Sequence, residues 1–366
     1  MATNAWQELH GHAELQIEVM FRNLLLYSLL GLLIFSCKEE DSNGIEDPID
    51  TDERHVLVLN EGNFRSANAS ISVYLPNKKS VHHDVYSNAN QDVPLGDVVQ
   101  SANKINGNLW LVVNNSNRIE ILEPRTYKWI GRVSALNSPR YCIPGPNGKV
   151  YVSDLYEGMV YVVDVNSYTV TDRISTNGWT EEMLLIGDSL FVCQVDSSQL
   201  LVINTMSDSI VDRIPTAKSP LSLVLDINGK IWIGCSGGFN DQDPALMKID
   251  PKSLIVEMTL SVPDVSKSIG DLAMSPSKDE LYFLMDDLYK MDINATALPA
   301  NAWVTKASAN FYAMDVDPFN GDVYLSDAID YQQDGVIYRY DSNGQMIHQF
   351  KTGLIPGFFY FDDSDD

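Results

Sequence analysis

The stretch Gly234-Cys235-Ser236-Gly237-Gly238 fits the G-x-S-x-G pattern of a serine nucleophile. That chemistry needs a sharp strand-to-helix turn to present the hydroxyl and a base to take its proton. Here the serine follows a strand-like run, IWIGC, and leads into loop residues, so no nucleophile is expected. Histidine is scarce beyond residue 36: His55, His82, His83 and His348. His82 and His83 are adjacent in a strand-like run and would point to opposite faces, so neither a histidine metal site nor a catalytic dyad is expected. The stretch DVDPFNGD (315–322) approaches a calcium loop, but its glycine falls one place late, and a hairpin turn explains it more simply. NDQD (240–243) is a candidate for a structural calcium ion. No C-x-x-C occurs, and Cys142, Cys193 and Cys235 form an odd set, which suits small buried apolar residues rather than zinc or a disulfide framework. The expectation is a non-enzyme with no catalytic residue, resident cofactor or metal.

The remaining chemistry is that of contact. Aromatic residues stand among amides and acids in the irregular stretches: Asn60, Glu61, Asn63 and Phe64; Asn114 and Asn115; Arg140 and Tyr141; Tyr156; Trp179; Asp196; Phe239 and Asp241; Phe311 and Tyr312; and Tyr331. Flat apolar faces with fixed donors and acceptors between them suit a large ligand that is part greasy and part polar.

These stretches are positioned by a repeat. A strand with an aromatic at its second position recurs: Leu109-Trp110-Leu111, Val150-Tyr151-Val152, Leu190-Phe191-Val192, Ile231-Trp232-Ile233, Leu281-Tyr282-Phe283 and Val323-Tyr324-Leu325. The aromatics are 41, 40, 41, 50 and 42 residues apart. Self-similarity near 40 residues marks propeller blades. Tight turns such as Asn106-Gly107, Asn147-Gly148 and Asn228-Gly229 precede the strand, where Asn and Gly accept positive φ at little cost. Six units, at about 98–133, 138–174, 178–214, 217–260, 267–304 and 308–350, leave 55–85 and 354–362, which together supply a seventh. The predicted fold is all-β: a seven-bladed propeller of four-stranded antiparallel blades over residues 54–363, closed by its N- and C-terminal strands. Alternation along each blade puts the tight turns on one face and the irregular stretches on the other.

Residues 24–35, LLLYSLLGLLIF, form a 12-residue apolar run behind Arg22. It is too short to span a bilayer comfortably and suits the core of a secretory signal. Translation starting at Met20 fits this better than starting at Met1. The run ends Ile34-Phe35-Ser36-Cys37, which resembles a lipobox, making 1–36 an extension plus signal and Cys37 a lipidated residue. Residues 37–53 then form an acidic tether, with eight acids and one base over 38–53. Its start, Lys38-Glu39-Glu40-Asp41, resembles the surface-export tag of Bacteroidetes lipoproteins. The formal charge of −25 disfavours nucleic acid and anionic lipid as partners, leaving membrane attachment to the lipid anchor.

The repeat, with units such as VYVVDVNSYTVTDRI, resembles YVTN-type propellers, and the opening strand HVLVLNEGNF resembles the BtuG-type cobalamin-capturing proteins. That resemblance implies a cobalamin or other corrinoid ligand on the loop face and delivery to a BtuB-like TonB-dependent transporter in the outer membrane of the cell surface. A propeller enzyme of the lactonase or lyase kind, and an adhesion or scaffold protein, are the competing classes. The first needs convergent histidines or a metal; the second needs a bland upper face.

Overall fold

The computed structural model describes residues 53–362. The expected signal, Cys37 and the expected tether up to residue 52 lie outside the described residues. Among the described residues no helix is long and apolar enough to cross a membrane.

The repeat folds as expected into seven antiparallel blades. Blade 1 runs, from the axis outward, Pro356–Asp362, His55–Asn60, Ser70–Leu75 and Ser80–His82, so the C-terminal strand supplies its innermost position. Each later blade begins with its innermost strand: Val99–Ile105, Pro139–Pro144, Thr180–Ile186, Pro220–Leu225, Leu272–Met274 and Phe311–Val316. These seven innermost strands touch one another in order around the ring, and Pro356–Asp362 packs against both Phe311–Val316 and Val99–Ile105 to close it. Blade 6 departs from the four-strand pattern: three strands form, and the outer position is reduced to a single bridge between Leu288 and Val304.

Seven apolar clusters hold the ring, one at each interface between neighbouring blades. The repeated aromatic is the wedge. Trp110, Tyr151, Phe191, Trp232, Tyr282 and Tyr324 are all fully buried. Blade 1 lacks an aromatic at that position, and Tyr74 from its third strand does the work instead, stacking on Phe350 at 4.1 Å across the closing interface. Each large ring buries on the order of 150–250 Å², so a few such wedges dominate the energy of an interface. Second strands lie between other strands and between blades, and read as near-continuous apolar runs, as in Asn108–Val113 and Ser189–Gln194. Outermost strands face water on one side and read as mostly polar, as in Thr169–Ser175 and Ser209–Pro215.

The tight turns take the chemistry that the sequence implies. Asn106 (φ 51) and Gly107 (φ 76) both have positive φ, which matches a primed hairpin turn to the twist of its strands. The loop at 315–322 is a hairpin turn, closed by Gly321 N–H donating to the Asp317 carbonyl at 2.9 Å. Cys142, Cys193 and Cys235 are buried free thiols.

One irregularity recurs and sets up the site. In blades 1 to 5 and 7, register slips between the innermost strand and its neighbour near the upper end: between the partners of Leu59 and Asn60, Val99 and Ser101, Pro139 and Cys142, Thr180 and Met183, Pro220 and Ser222, and Phe311 and Met314. A bulge leaves residues unpaired and re-aims their side chains. Here the displaced residues include Gln100, Arg140, Tyr141, Glu181, Glu182, Leu221, Tyr312 and Gly357, all of which line the mouth of the axial channel.

Candidate functional site

Three hollows open on the irregular face and meet at Trp179. The largest, about 960 Å³, lies over blades 4 to 6 and is walled by Val195, Lys218, Leu221, Phe239, Asp241 and Lys267 among others. Its size follows from the 50-residue spacing between Trp232 and Tyr282. The extra chain lies at 236–244 and 262–271, in the upper connections of blades 5 and 6, and forms much of that wall. A second, about 530 Å³, is lined by Arg140, Leu155, Tyr156, Gly178, Trp179 and Asp196. The third, about 310 Å³, is the mouth of the axial channel, with Glu61, Arg140, Tyr141, Glu181, Glu182, Asp271 and Tyr312 in its wall.

Arg140 is the hub. Its Nε donates to Glu181 Oε1 at 2.8 Å, and its Nη1 donates to Gln100 Oε1. The Trp179 indole N–H also donates to Glu181. The Trp179 backbone N–H donates to Asp196 Oδ2 at 2.9 Å, which fixes the indole between the hollows. Burial works against the Arg140 charge, but Glu181 and other neighbours outweigh it and hold its pKa above the ordinary value.

Around this one cation the channel gathers carboxyl groups. Burial pushes Glu61 up to about 7, against the pull of Tyr312, whose hydroxyl donates to both carboxylate oxygens at 3.1 Å. Burial likewise pushes Asp271 up to about 6 and Asp315 up to about 7. It drives Glu182 well above the carboxylate range, although its Oε2 accepts Leu223 N–H at 3.0 Å. Glu181 is raised by burial, partly offset by Arg140. Near neutral pH the channel therefore offers both carboxylates, which accept, and protonated acids, which donate. Gly357 leaves room for this arrangement: a Cβ there would collide with Glu61 Oε1.

The structure brings Glu61, Arg140, Tyr141, Tyr156, Trp179, Asp196, Phe239, Asp241 and Tyr312 into these hollows. Tyr331 stands edge-on to Tyr312 with ring centroids 5.9 Å apart, and Asn63 donates to the Tyr331 carbonyl at 2.6 Å, tying the loops of blades 1 and 7. Phe64 is exposed, with the Arg65 guanidinium 5.1 Å from its ring centre. Four expected contact residues turn inward instead. Asn60 is fully buried, donating to Ser70 and Ser72 and accepting from Thr352. Asn114 is buried and donates to the Pro139 carbonyl at 3.0 Å, while Asn115 donates to Asp97. Phe311 packs edge-on to Tyr338 in the interface of blades 6 and 7. Short amide side chains here satisfy polar groups of the fold before they serve a ligand.

Gln100, Glu181, Glu182, Asp271 and Asp315 were not singled out from the sequence. The available signal was acids in strands that should be apolar, as in TEEMLLI and FYAMDV. Ser236 lines the largest hollow but has no histidine near it, and its hydroxyl donates to the Ser219 carbonyl at 3.3 Å. No group of three or more His, Cys, Asp or Glu side chains is placed to hold a metal among the described residues. At the candidate calcium stretch, Asp241 faces Lys218 at 3.4 Å.

Residues 55–361 match one family along almost the whole propeller. The chain belongs to the DUF5074 family, described as a domain of unknown function. No curated protein matches this DUF5074 chain in sequence. Among solved structures, it is similar to a quinoprotein alcohol dehydrogenase-like protein from Bacteroides thetaiotaomicron, with TM-score 0.65 and 14% identity over 85% of this chain and 78% of that one. It is also similar to a protein described as a candidate 6-phosphogluconolactonase from Bacteroides fragilis, with TM-score 0.64 and 15% identity over 87% of this chain and all of that one. Hydrazine synthase of Kuenenia stuttgartiensis aligns with TM-score 0.56 and 14% identity over 70% of this chain and 89% of that one. Likeness at this identity carries the fold and nothing of the chemistry.

Proposed function

We propose that this DUF5074 protein captures a bulky, amide-bearing solute, a corrinoid such as cobalamin, on the irregular face of its propeller. The observation that carries the reading is the junction at Trp179, where a broad hollow with Phe239 and Leu221 in its wall meets a channel mouth of carboxyl groups. A corrin is a wide, partly apolar macrocycle fringed with primary amides. Its edge suits the indole and phenyl faces. Its amide carbonyls suit protonated acids, and its amide N–H groups suit carboxylates and the Tyr156 and Tyr312 hydroxyls. Such capture needs preorganised contacts and no bond-breaking step.

In the same reading, Cys37 carries acyl chains that moor the protein to the outer membrane, the acidic tether projects it from the cell, and the loaded face docks on a TonB-dependent transporter of the BtuB kind. The enzyme alternative draws on one specific observation, carboxyl groups poised near neutrality in a cleft. Turnover in a lactone and carbohydrate screen would establish it.

Isothermal titration of the protein with cyanocobalamin tests the reading. The expected result is saturable one-to-one binding at micromolar or lower concentration, lost in Trp179→Ala. Absence of both heat and spectral change would remove the corrinoid.

A further inference from the structure

A separate hollow of about 600 Å³ lies on the rim of the disc where blades 1 and 2 meet. One wall is the short helix Val85–Ala89 and the turn after it, which follow the outermost strand of blade 1. The other is the start of Trp129–Val133, the outermost strand of blade 2. Its lining includes Tyr86, Gln91, Val93, Lys128, Trp129 and Arg132.

Trp129 is held as an open plate. Its indole N–H donates to Glu120 Oε2 at 2.8 Å, and its backbone N–H donates to Asn90 Oδ1 at 2.8 Å. Trp129 is nevertheless 47% exposed. Asn90 is fully engaged, since its Nδ2 also donates to the carbonyls of Tyr86 and Tyr127. A large apolar ring pinned at both ends and left in water is a platform rather than a packing residue.

The donors around that platform are in excess. Arg132 spends its Nε and Nη2 on Glu120, and its Nη1 has no partner among the described residues. The exposed Lys128 amine and the Gln91 side-chain amide likewise have none among the described residues. Glu120 is fully buried and already serves Arg118, Arg132 and Trp129. Among the described residues no carboxylate lines this hollow, whereas each of the three on the upper face has at least one. On a chain of net charge −25 this is a local positive site.

We infer that the rim hollow between blades 1 and 2 binds a hexuronate, a sugar ring bearing a carboxylate. The apolar face of a pyranose covers the Trp129 indole. Its carboxylate meets the free edge of Arg132 and the Lys128 amine, and its hydroxyls accept from and donate to the Gln91 amide. The sugar is either free or one unit of an acidic polysaccharide, since both present the same ring and charge.

Saturation-transfer difference NMR on the full chain tests this with sodium D-glucuronate, trigalacturonate and the neutral methyl α-D-glucopyranoside. Signal from glucuronate and trigalacturonate alike indicates a site that reads one residue. Signal from trigalacturonate alone indicates a polysaccharide unit. Either supports the inference, provided that the neutral glucoside gives none and that Lys128→Glu weakens binding at least tenfold. Lys128 is exposed and has no partner among the described residues, so that variant should melt as the parent does and should bind cyanocobalamin unchanged, which separates this site from the upper face. Equal signal from the neutral glucoside, no signal from either acid, or full binding in Lys128→Glu would overturn it.

Discussion

Replacing Glu61 with glutamine should stabilise the propeller at alkaline pH and leave it unchanged in acid. Burial raises the Glu61 pKa from 4.5 to about 7, so the folded chain holds that proton more tightly than the unfolded chain does. Stability from this group is complete below the unfolded value and is lost as pH rises through about 7. Each pKa unit corresponds to about 1.4 kcal/mol, so a shift of this size makes the ionised group cost roughly 3 kcal/mol at pH 8.5. Glutamine is neutral at every pH and keeps an oxygen for the Tyr312 hydroxyl. Urea melts at pH 4.5 and pH 8.5 should therefore show no change at the lower pH and a gain of about 2–3 kcal/mol at the higher. An equal effect at both pH values, or a loss at pH 8.5, would show that Glu61 is not held in a charge-disfavouring site and would refute the description of the channel.

The other predictions concern the hub, the exposed Phe239 and the closure. Arg140→Met should destabilise by about 3–5 kcal/mol in denaturant melts, because it leaves Glu181 buried without its partner. Phe239→Ala should move stability by less than about 0.5 kcal/mol, since the ring is 97% exposed. In the proposed corrinoid assay the same variant should weaken binding severalfold. Phe359→Ala, in the strand that closes the ring, should cost about 3–5 kcal/mol, seen as a lowered urea midpoint with unchanged far-ultraviolet circular dichroism.

The ring was legible because its physics repeats: an aromatic wedge about every 40 residues, turns that need positive φ, and a broken unit at each end that only closure could complete. The shortened outer edge of blade 6 was not legible, because a polar stretch reads the same whether it pairs or merely covers. At the site, the exposed aromatics Tyr156 and Phe239 could be found from topology alone. The carboxyl channel could not, because it depends on bulges at the upper ends of the inner strands. A bulge costs one or two residues of register and has no side-chain signature of its own. Loop amides misled in the opposite direction. Asn60 and Asn114 look like ligand contacts in sequence, yet they serve buried groups of their own fold.

The most direct test of the account is a crystal structure of the protein soaked with cyanocobalamin. A corrin ring is expected on the irregular face, in contact with Trp179 and with its amides directed at the channel mouth. Ligand density on the tight-turn face, or an empty upper face at saturating ligand, would contradict it.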